Sequence, residues 1–441
     1  MLDTTKAPSV GTLALWTRAL GRLDAAVDDS ERVEQLRALE ELKSAAAAAQ
    51  AKVAAAFARS QRAVQEQAGV PARKVGQGVA AQVALARRDS LVKGARHLGL
   101  ATALVEEMPR TLAALERGET SEWRATLVVR ETACLSRADR TAVDAELAAR
   151  PGGLAALGDA AVAQETRRIA YRLDPHAFTD RTRRAESERR VTVRPAPDTM
   201  SMVTGLLPVA QGVAVYAALT RHADTLRSDG DTRSRGQIMA DTFVERITGQ
   251  ATATAVPVEV NVVMTDQALL GDDPTPAQLE GYGPLPAPLT RQWLRETGDE
   301  TRVWLRRLFT APASSNLVAM DSARRLFTGK LRRFVIVRDQ TCRTPWCDAP
   351  IRHVDHVHAI ADGGTTTAAN GQGLCEACNH TKETNGWRTR SHPDGVVETR
   401  TPTGHRYLSH SPPTPGTSTG PPRRPPPSRA EIGFANVILA A

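Results

Sequence analysis

"CRTPWCDAPIRHVDHVHAIADGGTTTAANGQGLCEACNHTKETNGW", residues 342–387, carries four of the five cysteines of the chain. Cys342 and Cys347 form a C-x4-C pair, Cys375 and Cys378 a C-x2-C pair, and 27 residues separate the two. Each pair can place two thiolates on one knuckle, and two knuckles complete a tetrahedral S4 site. Such a site suits Zn²⁺, which has no geometric preference of its own and closes structural sites with four ligands. In a cytosolic chain this clustering points to metal rather than disulfides. Cys134 stands alone in "VVRETACLSRADR", an amphipathic helical stretch, and reads as an inert core thiol.

Between the cysteine pairs lie a short strand, "RHVDHV", a Gly-rich turn, "DGG", and a second strand-like run leading to Cys375. A helix opens around Cys378, so the spacing predicts a hairpin followed by a helix, with zinc fastening the two. The residue types suit phosphodiester hydrolysis, which needs a base for the attacking water and a cation to neutralise developing charge. A neutral His suits the base, and Asp and Asn oxygens suit a hard divalent ion. Adjacent strand residues point to opposite faces, so Asp355 can hold an ion while His356 addresses water from another side.

Asp355-His356, Gly363-Gly364-Thr365-Thr366, Asn370, Cys375 to Cys378, Asn379 and Lys382 follow one another in the order of a known pattern. On these residues the segment resembles the HNH (ββα-metal) endonuclease module in its zinc-stapled form. The resemblance implies a metal-dependent endonuclease hydrolysing DNA phosphodiester bonds, with RNA left open as a substrate. It makes His356 the general base, Asp355 and Asn379 the ligands of Mg²⁺ or Mn²⁺, and the four cysteines the ligands of a structural Zn²⁺. Asn370 then braces the loop that orients His356 and is not a ligand.

The family commonly has His directly after the fourth cysteine; here Asn379 stands in that place and His380 one residue late. Consecutive helix residues differ by ~100° in direction, so His380 does not substitute for its neighbour, and Asn379 is the expected ligand. The departure keeps an alternative in view, a non-catalytic zinc-stabilised DNA-binding protein that retains the HNH fold. Lys382 and Arg388 are candidate phosphate contacts, with a solvated face as the plainer reading. His353 and His358 read as strand histidines making a local hydrogen bond or a phosphate contact, and Trp346 and Trp387 as packing residues.

Upstream, residues 11–329 read as a mainly helical domain with a small β component. "ALEELKSAAAAAQAKVAAAFARSQRAV" (38–64) joins strong helix formers to an Ala run that suits close helix packing, and Ser121 and Ser136 read as helix caps. "RRVTVRP" with "TMSMVTGLLP", "PVEVNVVMTD" and "TRVWLRRLFTA" are β-rich, whereas "GDDPTPAQLEGYGPLPAPLTRQW" reads as loop and "SARRLFTGKLRRFVIVRDQ" as a linking helix. This arrangement resembles the domain of unknown function 222 found before HNH modules in the bacterial 13E12-repeat family. The HNH module is expected over 330–392 and a disordered Pro-rich tail over 393–441.

The formal charge of +8 permits a polyanionic partner. Only seven of the 57 basic residues are lysine, and 331–392 holds eight Arg/Lys against six Asp/Glu, so charge alone does not single out nucleic acid. No apolar run is long enough to span a membrane, and the N-terminus lacks a signal-peptide pattern, so a cytoplasmic protein is expected.

Overall fold

The computed structural model describes residues 8–252, 262–270, 273–280, 282–296, 327–392 and 395–412. The chain divides into two compact units, Met1–Val83 with Ala95–Thr182 and Ala84–Gly94 with Arg183–Ala441. No helix among the described residues is long and apolar enough to cross a membrane.

Nine helices open the described chain: α1 (Val10–Leu20), α2 (Asp29–Gln67), α3 (Val79–Ala86), α4 (Leu91–Glu106), α5 (Pro109–Glu116), α6 (Glu122–Glu131), α7 (Arg137–Ala149), α8 (Asp159–Leu173) and α9 (Pro175–Ser187). In α2 the buried residues Ala47, Ala51, Ala55 and Ala58 recur at three- and four-residue spacing, so one side-chain-poor stripe lets the helix approach α5 and α6 closely. Leu104, Leu115, Val128, Val143, Leu147 and Ile169 fill the core behind it, each Leu or Ile stabilising by roughly 1.5–3 kcal/mol of burial. Ser121 and Ser136 cap α6 and α7 by accepting from the amides of Arg124 and Asp139. α5 has no local side-chain cap. Instead buried Asp144, from α7, accepts from the amides of Arg110 and Thr111, both at 2.8 Å. Cys134 packs half-buried against this core.

In the second unit, β1 (Arg190–Pro195) and β2 (Ser201–Leu206) form an antiparallel hairpin, followed by the helices α10 (Val209–Ser228) and α11 (Arg235–Thr248). A three-stranded sheet follows from β3 (Val262–Val263), β4 (Ala277–Leu279) and β5 (Gly283–Leu285), with the helices α12 (Asp266–Leu270) and α13 (Ala287–Glu296). The Pro- and Gly-rich stretch expected to be loop thus builds β4, β5 and α13. Pro284 is tolerated because β5 is an edge strand, where a missing N–H breaks no ladder. "TRVWLRRLFTA" (301–311) and residues 257–261 of "PVEVNVVMTD" lie outside the described residues.

The remaining elements are α14 (Gly329–Asp339), β6 (His353–His356), β7 (Gly371–Leu374), α15 (Glu376–Lys382), β8 (Arg388–Ser391), β9 (Val397–Arg400) and β10 (Arg406–Ser409). β6 and β7 pair antiparallel from His353↔Leu374 to His356↔Gly371, and α14 packs on them through a small core of Phe327, Leu331, Val335 and Ala368. β8, β9 and β10 form a meander in the order β10-β9-β8. Its last two strands lie beyond residue 392, where composition alone placed the start of the tail. They are four residues long, and the Thr401–His405 turn between them closes with Thr401 N donating to His405 O at 3.0 Å. Arg343, almost fully buried, donates to the carbonyls of Gly395 and Ser409, both at 2.9 Å, and to the Ser411 hydroxyl. Folded structure therefore runs to Ser411, and the Pro-rich stretch from 413 lies outside the described residues.

Candidate active site

The four clustered cysteines are all buried, and their sulfurs lie within 4.8 Å of one another. Cys347 stands 3.7 Å from Cys375 and 3.6 Å from Cys378, close to the ~3.8 Å edge of a tetrahedron with 2.3 Å Zn–S bonds. The first knuckle is closed by Cys342 N donating to Ala349 O at 2.9 Å and Cys347 N donating to Thr344 O at 3.1 Å. Trp346 and Asp348, either side of Cys347, take positive φ of 60° and 48°, a conformation non-glycine residues accept only under outside constraint. The second knuckle is the start of α15, where Cys375 is the N-cap and its sulfur accepts from Cys378 N at 3.4 Å. Hydrogen bonds from the other three thiols hold Cys375 well below the usual thiol range, while the same neighbours push Cys378 far above it. Four thiolates this close would repel one another without a cation among them, and the donor set can hold a zinc ion.

The second cluster stands at the end of β6. His356 is buried, with Nε2 2.9 Å from the Thr366 hydroxyl, Nδ1 3.5 Å from Asp355 Oδ1, and its ring 4.6 Å from that of Phe327. If Nε2 carries the proton and donates to Thr366, Nδ1 presents a lone pair on the Asp355 side. Asn370 clamps the connecting loop from both ends. Its Oδ1 accepts from His358 N at 2.8 Å, and its Nδ2 donates to His358 O at 3.0 Å and Thr365 O at 2.8 Å. The loop closes so tightly that a Cβ on Gly364 would fall 1.9 Å from His358 O, which is why only glycine fits there.

Opposite the strand, α15 presents Asn379 and Lys382, three residues apart and hence on one helix face. Lys382 Nζ lies 2.9 Å from Asp355 Oδ2 and also pairs with Glu383, leaving its side chain 10% exposed. Sequence reasoning made Lys382 a phosphate contact; the structure instead sets its ammonium on Asp355, because the docked helix turns that face to β6. Burial pushes the Asp355 carboxyl upward, but the hydrogen bonds from Lys382 and the His356 amide outweigh it and hold the group below its usual range. Burial likewise depresses Lys382, and its two carboxylate partners more than restore it, to above its usual range.

Asn379 is half-buried, and its Oδ1 is wholly buried without a hydrogen-bond partner; His380 is exposed. A buried amide oxygen left unpaired is uncommon, and a hard cation is one partner that satisfies it. The donor types therefore fit a divalent ion. Arg388 is exposed on β8, and His353 and His358 are also exposed. Trp387 is buried, while Trp346 packs edge-on against Tyr407 with ring centroids 5.8 Å apart. Sequence reasoning missed the ring contact of Phe327 and the Lys382 pair. The only signal for the latter was the three-residue spacing from Asn379.

A hairpin and a helix meeting over a carboxylate, an imidazole and an amide, stapled by four thiols, define the HNH class of nuclease domain. Residues 340–385 match the family model described as HNH endonuclease, and residues 36–339 match the domain of unknown function DUF222. The second match covers most of the chain, which belongs to the DUF222 family and carries an HNH endonuclease domain at its C-terminal side. Over 140 residues the chain is 33% identical to Uncharacterized protein Rv3776 of Mycobacterium tuberculosis, covering 31% of this chain and 25% of that protein. Over another match of 140 residues it is 35% identical to Uncharacterized protein Rv2100 of the same organism, covering 31% and 24%. The chain thus spans about a quarter of the length of these relatives. No solved structure matches.

Proposed function

We propose that this protein is a divalent-metal-dependent endonuclease that hydrolyses DNA phosphodiester bonds. The observation that carries the proposal is the buried, unpartnered Oδ1 of Asn379, on the helix face that also reaches Asp355 beside His356. Asp355 and Asn379 would hold Mg²⁺ or Mn²⁺, and Cys342, Cys347, Cys375 and Cys378 a structural Zn²⁺. A bound divalent ion supplies charge neutralisation at the phosphorane and the departing oxygen. His356 takes the proton of the attacking water at Nδ1, its ring held by Thr366 and packed against Phe327. Asn370 acts through the loop, fixing where His356 ends its strand.

One observation favours a second reading, a zinc-stabilised DNA-binding protein that does not cut. Lys382 already places a cation on Asp355. Incubating the purified protein with plasmid DNA, with and without Mg²⁺ or Mn²⁺, beside His356→Ala, separates the two. The nuclease reading expects nicking only with the added ion and loss of it in His356→Ala, with DNA binding retained. Absence of cleavage with either ion supports the second reading; equal cleavage by His356→Ala removes the proposed chemistry.

A further inference from the structure

The meander β8-β9-β10 lies outside both family matches, the second of which ends at residue 385. Its register sets Arg388 opposite Arg400 and Arg400 opposite Arg406, so three arginines from three strands occupy one rung. All three are exposed. Adjacent strands run about 4.8 Å apart, and like charges placed directly opposite destabilise a sheet. On the same face the next rung carries Arg390, Glu398 and Leu408. Glu398 reaches Arg406 at 3.7 Å and His392 at 3.4 Å. Arg388, Arg390 and Arg400 form no ion pair among the described residues. The fold thus holds a row of positive charge in which only Arg406 is paired among the described residues, and which works against its own sheet.

The opposite face fixes the meander to the candidate active site. Thr389 Oγ1 donates to Val357 O at 2.6 Å and Ser391 Oγ donates to Ala369 O at 3.2 Å, the residues next to His356 and Asn370. Val397 and Thr399 are buried on that side. The basic face is therefore presented by a sheet anchored to the residue that follows β6, the strand of Asp355 and His356, and to the residue before Asn370.

We infer that the Arg388–Arg400–Arg406 rung binds the phosphate backbone of duplex DNA beside the active site. The choice of DNA rests on the endonuclease reading, whereas the choice of a duplex backbone rests on the face itself. No Phe, Tyr or Trp ring stands on it, since Tyr407 points to the other side, and the His392 imidazole that reaches it lies against Glu398, so it offers guanidinium groups for phosphates and no free platform for unpaired bases. A polyanion also relieves the repulsion that the rung carries in the free protein.

The test uses the full chain without added divalent ion, so that binding is read without cleavage. Anisotropy of a labelled duplex is measured across a salt series for wild type and for the triple variant Arg388→Gln, Arg400→Gln, Arg406→Gln. The log–log salt slope should flatten by about 0.9 per arginine lost, with at least about a tenfold loss of affinity. The melting temperature of the free variant should stay level or rise with zinc content unchanged, a combination that a merely structural role does not produce. The triple Arg→Lys variant should keep the salt slope.

Unchanged affinity and slope in the Gln variant, or a wild type that does not bind the duplex, overturns the inference. Tighter binding of duplex RNA overturns the assignment to DNA, and tighter binding of a single strand overturns the assignment to a duplex. A protein that shows these binding changes but never cuts keeps the surface and loses the nuclease reading; one that cuts while the Gln variant binds normally does the reverse.

Discussion

The helical unit and the ββα module fold on different physical terms. Behind α2, residues such as Leu104, Leu115, Val143 and Ile169 form a core spread over five helices, and among the described residues no cluster of metal-ligating side chains lies there. The module has Phe327, Leu331, Val335 and Ala368, and gathers four thiols, a carboxylate and an imidazole close to them. A core that small does not hold a hairpin and a helix against their conformational entropy. The thiol cluster, which can hold a zinc ion, and buried Arg343, whose guanidinium donates to Asp339 Oδ1 at 3.4 Å as well as to the carbonyls of Gly395 and Ser409, stand where apolar burial is scarce.

The largest effect should come from the staple. Cys378→Ser is expected to release zinc and unfold the module, because apparent zinc binding energies of roughly 10–16 kcal/mol exceed what its core supplies. Protease sensitivity confined to residues 327–411, with the helical unit intact, is the expected readout beside metal analysis. Leu104→Ala is the matching change in the helical unit, where it should cost about 3 kcal/mol and leave zinc in place. A Cys378→Ser protein with native protection throughout would erase the contrast.

Next comes the meander. Truncation after His392 removes the carbonyls of Gly395 and Ser409 and leaves the Arg343 guanidinium buried with only Asp339 as an ionic partner. The module should lose about 3 kcal/mol, read as an earlier melting of the zinc-bound segment. Truncation after Pro412 should cost nothing measurable. Equal melting of the two truncations would return the module boundary to residue 392.

Legibility follows the same divide. The cysteine pairs and Asp355-His356 show in the sequence because rare residue types at fixed spacing leave few alternatives. The caps Ser121 and Ser136 show because they act within three residues. Asp144 at the start of α5 does not show, since its partners lie 33 and 34 residues away. Nor do β9 and β10, where "VETR" and "RYLS" are short, polar and next to a proline tail. Which face of α15 meets β6 is likewise set by docking, so Lys382 could not be assigned to Asp355 from spacing alone.

Lys382 gives a smaller effect with a defined sign. Its ammonium lies 2.9 Å from Asp355 Oδ2, so a divalent ion held as proposed would compete with it for that carboxylate. Lys382→Met keeps the apolar stem and removes the charge. Mn²⁺ should then bind several-fold more tightly by titration calorimetry, about 1 kcal/mol for a charge-assisted hydrogen bond no longer displaced. Weaker Mn²⁺ binding in Lys382→Met would mean that the lysine supports the ion site rather than competing for it.

The smallest effect should be at His380. It follows the buried-oxygen residue Asn379 by one position, ~100° around α15, and is exposed. An exposed side chain that makes no contact with Asp355 or His356 has no route to the ion, so His380→Ala should change Mn²⁺ affinity and cleavage by less than about twofold, within the range of ordinary surface substitutions. Asn379→Ala removes the only amide oxygen aimed inward from that helix, and should abolish Mn²⁺ binding while zinc content and melting stay put. The pair isolates direction, since both residues lie on the same short helix and both changes truncate to alanine. If His380→Ala lost the ion and Asn379→Ala kept it, α15 would be rotated by about a quarter turn on β6, and the Lys382–Asp355 pair would have to break as well, because residues 379 and 382 share one face.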